Sequence, residues 1–161
     1  MIRLVYFLRR DRGMSLDDFR RYLRDIRGPR LASHSTDLHI RRCVHSYFAE
    51  LPQDEGARKG RGAAEPYDAL EEIWFNSPQE AAVVFESDEG RRAAAELVRD
   101  ESQFVDFARS SLWFAIEVPQ INPTPENILA REDNDIAKIV FPLRQMSRLS
   151  LSEGQFYWCA N

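Results

Sequence analysis

The sequence is poor in the residues that most often announce a mechanism. Of 161 residues only two are cysteine, three histidine and seven glycine. Cys43 and Cys159 are too few and too far apart for a disulfide framework, so a reducing compartment is the expected setting. There is no glycine-rich phosphate loop and no serine-nucleophile elbow, which removes the commonest nucleotide-binding and hydrolase signatures. Positive charge is not in excess: the net charge is −4, which offers nucleic acid no basic face. The arginine clusters RRDR and RRYLRDIRGPR are interleaved with aspartate and read as solvated helix faces. No apolar run approaches the ~18 residues of a membrane span. Ile2–Leu8 is too short for a signal-peptide core, and arginine follows it rather than precedes it. The expected location is the cytoplasm, with no membrane and no nucleic acid among the partners.

What is present is 43% hydrophobic and 11% aromatic residue, in patterns that alternate between strand and helix. Ile2–Leu8 reads as a buried strand. Ser15 caps a helix whose Phe19, Tyr22, Leu23 and Ile26 fall at i, i+3, i+4 and i+7, giving one packing stripe. Gly28-Pro29 is expected to break or kink it, because proline removes an amide donor and disfavours helix just before itself. Leu38–Phe48 reads as a second strand, with His39, Arg41, Cys43, His45 and Tyr47 on one face. Residues 51–66 lack periodicity and read as a loop. Tyr67–Phe75 is a third strand: Asp68, Leu70, Glu72 and Trp74 share one face, Tyr67, Ala69, Glu71, Ile73 and Phe75 the other. Ser77-Pro78-Gln79-Glu80 starts a second helix, interrupted near Gly90. Leu112–Val118 is a fourth strand.

The order β-α-β-β-α-β predicts an α+β, ferredoxin-like domain over residues 1–118, with both helices on one face of a four-stranded antiparallel sheet. The reverse face is left without cover, and a second copy of the domain is its expected partner. Residues 119–135 hold three prolines and read as a linker. Lys138–Asn161 then repeats Arg3–Ile26 without a gap, with Val5/Val140, Leu8/Leu143, Arg9/Arg144, Ser15/Ser150, Leu16/Leu151 and Tyr22/Tyr157 identical. Residues 136–161 are therefore expected to begin a second domain of the same fold. One strand and part of a helix cannot close such a fold, so the sequence is expected to be a piece of a longer tandem protein.

Three stretches, LVYFLRRDRGMSLDDFRRYLRDIRGP, YDALEEIWFNSPQEA and DESQFVDFARSSLWFAIE, resemble the EthD family of the dimeric α/β-barrel superfamily. The resemblance implies two sheets packed face to face, from a homodimer or a tandem pseudo-dimer, and a small-molecule pocket between sheet and helices. It implies cofactor-free acid/base chemistry, such as cyclisation, decarboxylation or oxygenation of an aromatic or polyketide-like substrate. One position departs: the family commonly has histidine before the small residue and proline at the end of the first helix, and here Arg27 stands there. Arginine cannot act as a base at neutral pH, though it can hold an anionic oxygen. That departure favours an alternative, a non-catalytic binding or assembly domain.

Within this frame Glu72, beside Trp74 and Leu70, is a candidate proton-transfer group if partly desolvated. His45, with Tyr47 next on its strand face, is a second. Arg27 and Arg41 are candidates for placing an anionic group. Asp68 and Trp74 follow the third-strand pattern of the family, and Asp106 resembles its acid after the second helix. Each has a structural alternative: an ion pair for Glu72, a hydrogen-bonded core histidine for His45, a capping or Arg109-pairing role for Asp106. His34, His39 and His45 fit no metal-ligand spacing, so no metal is expected. Cys43 has no neighbouring motif that would activate it.

Overall fold

The structure is a computed structural model; it describes residues 1–48, 52, 54–63 and 65–117, with isolated positions 138, 140, 142, 148, 150 and 152 beyond them. The chain divides into two compact units, Met1–Glu117 and Val118–Asn161. All elements named below lie in the first. The linker expected at 119–135 falls outside the described residues, as does all but the isolated positions of the repeat expected at 136–161.

Four strands, β1 (Ile2–Leu8), β2 (Arg42–Tyr47), β3 (Ala69–Phe75) and β4 (Ser111–Ala115), form one antiparallel sheet in the order β2-β3-β1-β4. This is the ferredoxin-like arrangement. β1 is central, pairing with β3 and β4, while β2 is held by β3 alone. Helices α1 (Leu16–Tyr22), α2 (Gly28–Ser33), α4 (Pro78–Glu86) and α5 (Asp88–Glu101) supply the other half of the fold. The core lies between them and one sheet face. Tyr6, Leu8 and Ala69 pack with Phe19, Leu23 and Phe104, while Ile73 and Phe75 pack with Leu31, Val84 and Leu97.

The helix starts are built as their residues dictate. Ser15 Oγ accepts from Asp18 N at 3.1 Å, and Ser77 Oγ from Glu80 N at 3.1 Å. The break near Gly90 is a second cap: Ser87 Oγ accepts from Gly90 N at 3.0 Å and begins α5 directly after α4. A Cβ on Gly90 would lie 2.5 Å from the Val84 carbonyl oxygen, so only glycine allows this close approach.

Two expectations are corrected and one is narrowed. Of the two effects expected at Gly28-Pro29, a break or a kink, the helix shows a local distortion and no break. Residues Leu23–Arg27 widen into a π turn, in which Gly28 N–H reaches back to the Leu23 carbonyl, and α2 then continues to Ser33. A wider turn is how a helix accommodates a proline ring against the preceding carbonyls. Because the helix runs on, the second strand begins at Arg42 rather than Leu38. His39 sits in a turn at φ 52°, off the strand face that carries His45. Within the expected loop at 51–66, Asp54–Lys59 forms a short exposed helix, α3, with Lys59 and Glu55 paired at 2.7 Å.

The reverse face also differs from expectation. Val5, Phe7, Leu70, Glu72 and Trp74 are all buried there. Among the described side chains on that face, the Arg3 and Arg42 guanidinium carbons stand 5.5 and 4.8 Å from the Trp74 ring centre, and Tyr67 packs on Phe7 at 5.1 Å. Toward the β4 edge, Trp113 is 65% exposed.

Candidate active site

The sheet register brings the chemistry into one row. Tyr6 on β1 is opposite Glu71 on β3, and Glu71 is opposite His45 on β2. All three point toward the helices. Cys43, two residues before His45, lies on the same face, with its Sγ 3.9 Å from His45 Nε2. Arg27 descends onto this row from the π turn. The turn shifts the helical register just before the proline, and Gly28 faces His45, where an added Cβ would stand at ordinary contact distance, 4.0 Å from Cε1.

Arg27 is 2% exposed and its donors are spent on the protein. Nε and Nη2 form a bidentate pair with Glu71 at 3.1 and 3.0 Å; Nη2 also reaches Glu101 at 2.6 Å, and Nη1 donates to the Leu97 carbonyl at 3.3 Å. Asp100 lies 3.6 Å from Nη1 and is held in turn by Tyr22 at 2.7 Å and by Arg30. Two arginines against three carboxylates leave one negative charge in excess, in a region with little water.

His45 Nε2 is 2.9 Å from Glu71 Oε2. Burial alone would raise the Glu71 carboxyl, but Arg27 and His45 outweigh it and hold the group down at about 2. An ionised carboxylate is acceptor only, so Nε2 of His45 carries the proton and the lone pair of the neutral ring is on Nδ1. Glu101 moves the other way: burial, with the nearby Glu71 charge, raises it despite Arg27. Burial and the same carboxylates raise Tyr6, and burial pushes the Cys43 thiol up to about 12. The donor atoms of Cys43, His45 and Glu71 all lie within 4.8 Å of one another, the one set among the described residues that could hold a metal ion.

Of the residues singled out by sequence, only Arg27 and His45 meet in this row, with Tyr47 beside it. Tyr47 shares the His45 face and is 40% exposed; burial of the rest raises its hydroxyl. Arg27 is a clamp on Glu71 rather than a free anion holder. Glu72 does not join His45: consecutive strand residues point to opposite faces, and Glu72 lies on the reverse side, 2.8 Å from Arg3. Trp74 is on that side too, between Arg3 and Arg42. Arg41 is exposed and 3.7 Å from Glu80. Asp68 accepts from the Arg10 amide at 2.9 Å and pairs with its guanidinium, fixing the end of β1. Asp106 lies between Arg12 and Arg109 at 3.8 and 3.7 Å, in the turn before β4. Sequence reasoning missed Glu71 and Glu101. The signal for Glu71 was its neighbour: two adjacent glutamates in an otherwise apolar strand put one on each face.

Residues 11–108 match the EthD domain. Among solved structures, the chain is similar to an ethyl tert-butyl ether d (EthD) family protein from Bacillus halodurans. The identity is 12%, the TM-score 0.51, and the match covers 73% of this chain and 99% of that one. It is also similar to HapK from Hahella chejuensis, at 14% identity and TM-score 0.49, over 77% of this chain and 99% of that one. Curated proteins give no match.

Proposed function

Since this chain belongs to the EthD family, we propose that it is a cofactor-independent small-molecule enzyme whose proton-transfer group is His45. The observation that carries the reading is the 2.9 Å contact between His45 Nε2 and the buried Glu71 carboxylate. In this reading Nδ1 takes a proton from an acidic C–H or phenolic O–H of an aromatic or polyketide-like substrate. Glu71 stabilises the imidazolium that forms. Arg27 keeps Glu71 ionised, so that the carboxylate orients the ring instead of competing for the proton. Tyr47 lines the approach beside β2, the outer strand of the sheet among the described residues. The substrate then decides whether its enolate or phenolate cyclises, decarboxylates or reacts with oxygen.

The test is proton exchange in D2O, followed by NMR, with aryl β-diketones and short polyketide mimics as probes. Wild-type protein accelerates exchange, and His45→Ala loses about 100-fold or more, the usual contribution of a positioned acid/base group. Its melting temperature stays close to wild type. Unchanged exchange in His45→Ala contradicts the reading.

One observation favours a second reading. Arg27 fills the space between helix and sheet with a side chain whose donors are spent, which suits a non-catalytic binding or assembly domain. Binding of the probes by calorimetry without any exchange above buffer selects this alternative. In either reading we propose that two domains pair through the reverse face, as a homodimer or a tandem pseudo-dimer. The 65% exposed Trp113, opposite Val5 and on that face, supports this. Sedimentation at twice the chain mass is the homodimer result; the chain mass alone rules that form out.

A further inference from the structure

Cys43 and His45 are i and i+2 on one face of β2, and Glu71 is the residue directly opposite His45 on β3. Two strands thus present a thiol, an imidazole and a carboxylate whose donor atoms converge within 4.8 Å. Two of the separations are 2.9 and 3.9 Å. Around a tetrahedral zinc ion with Zn–N and Zn–O of roughly 2.0 Å and Zn–S of roughly 2.3 Å, donor atoms stand about 3.3 to 3.5 Å apart. The set therefore needs small side-chain adjustments and no movement of the strands. Charge points the same way, because the surrounding network carries one negative charge in excess. Arg27 grips Glu71 through Nη2 on Oε1 and Nε on Oε2; the Nη2 bond orients the carboxylate while Oε2 gives up the Nε–H and turns to the metal.

We propose that Cys43, His45 and Glu71 form a capture site for a thiophilic divalent cation of the zinc type, and that occupancy switches off proton transfer at His45. On binding, the Cys43 S–H bond breaks, an S–metal bond forms and the proton leaves to solvent. His45 moves its proton from Nε2 to Nδ1, freeing the Nε2 pair for the metal, and Glu71 Oε2 exchanges the imidazole N–H and the Arg27 Nε–H for the ion. One positive charge is gained in the network, which offsets its negative excess. The lone pair that would accept a substrate proton is thereby lost. Three protein ligands leave a fourth position for water. The binding claim is independent of the catalytic reading, because its readout is spectroscopic.

The experiment is titration of the full chain with Co2+, whose absorption reports both coordination number and thiolate ligation. The expected result is one equivalent bound, with visible bands of a four-coordinate ion and a near-ultraviolet thiolate-to-cobalt band. Zn2+ bleaches both, and about one proton is released per metal at neutral pH. Cys43→Ser loses the thiolate band, His45→Gln loses the four-coordinate spectrum, and Cys159→Ser keeps both. Absence of a thiolate band in wild type, or its survival in Cys43→Ser, overturns the proposal. If the band is present but Zn2+ leaves probe exchange untouched, the switching part is overturned and the binding part stands.

Discussion

Glu71 and Glu72 are neighbours in sequence, equally buried at 2%, and belong to two different worlds. Glu71 lies on the helix side in a row Tyr6–Glu71–His45; Glu72 lies on the reverse in a row Val5–Glu72–Val44. Glu71 is gripped in bidentate fashion by an arginine that is itself buried. Glu72 is met by Arg3, whose side chain is 22% exposed and also reaches the exposed Glu117 at 2.7 Å. Burial alone does not make a carboxylate part of a site. What differs is whether its partner is sealed from water and whether a titratable ring shares the same face.

Removing the two arginine partners should separate these worlds most strongly. Arg27→Met leaves the buried Glu71 with His45 but without its arginine, and strips the half-buried Glu101 of the same partner. It is expected to cost about 3–5 kcal/mol, read by urea denaturation. Arg3→Met should cost only about 1–2 kcal/mol, because water reaches the Arg3 side of that pair. The Arg27→Met/Glu71→Leu double variant should be clearly less damaging than the sum of its single variants, since the two residues share one interaction. Equal losses for Arg27→Met and Arg3→Met would erase the distinction.

The acid limb of stability gives the next contrast. Glu71 titrates lower in the folded chain than its ordinary 4.5. Its share of stability is full above that value and is lost as pH falls from 4.5 toward about 2. Glu101, raised by burial, has the opposite sign: stability falls as pH rises from 4.5 through its shifted titration. Glu71→Gln should therefore flatten the loss of stability between pH 4.5 and 2. Melting temperature against pH for wild type and Glu71→Gln decides it; an unchanged acid limb contradicts it.

The smallest expected effect is on the reverse face. Arg42→Ala removes one of the two cations over Trp74 and should cost about 0.5–1 kcal/mol. A loss above about 2 kcal/mol would mean that this face carries a network comparable to the one under the helices.

The parity of each strand was legible in the sequence. Alternation put Glu71 with Ile73 and Phe75, Glu72 with Leu70 and Trp74, and Cys43 with His45 and Tyr47, as the structure has them. Which face of β2 joins which face of β3 was not legible. Some twenty residues separate the two strands, and nothing in either one fixes the register across such a connection. That is why His45 was coupled to Glu72 instead of Glu71. Arg27 was visible as a departure from a family pattern, but its role depends on Glu101 and Leu97, some seventy residues away. The run of helix past Pro29 was hidden for a local reason: proline signals a break, and the π turn that accommodates it has no sequence signature of its own.

The contact between His45 and Glu71 is tested most directly by 15N NMR of the imidazole nitrogens, with histidine labelled and His45 assigned by substitution. The expected result in the wild-type chain at neutral pH is a ring protonated on Nε2, an assignment that weakens in Glu71→Gln and stays intact in Glu72→Gln. A His45 ring that ignores Glu71→Gln, or that responds to Glu72→Gln instead, would contradict the site described above.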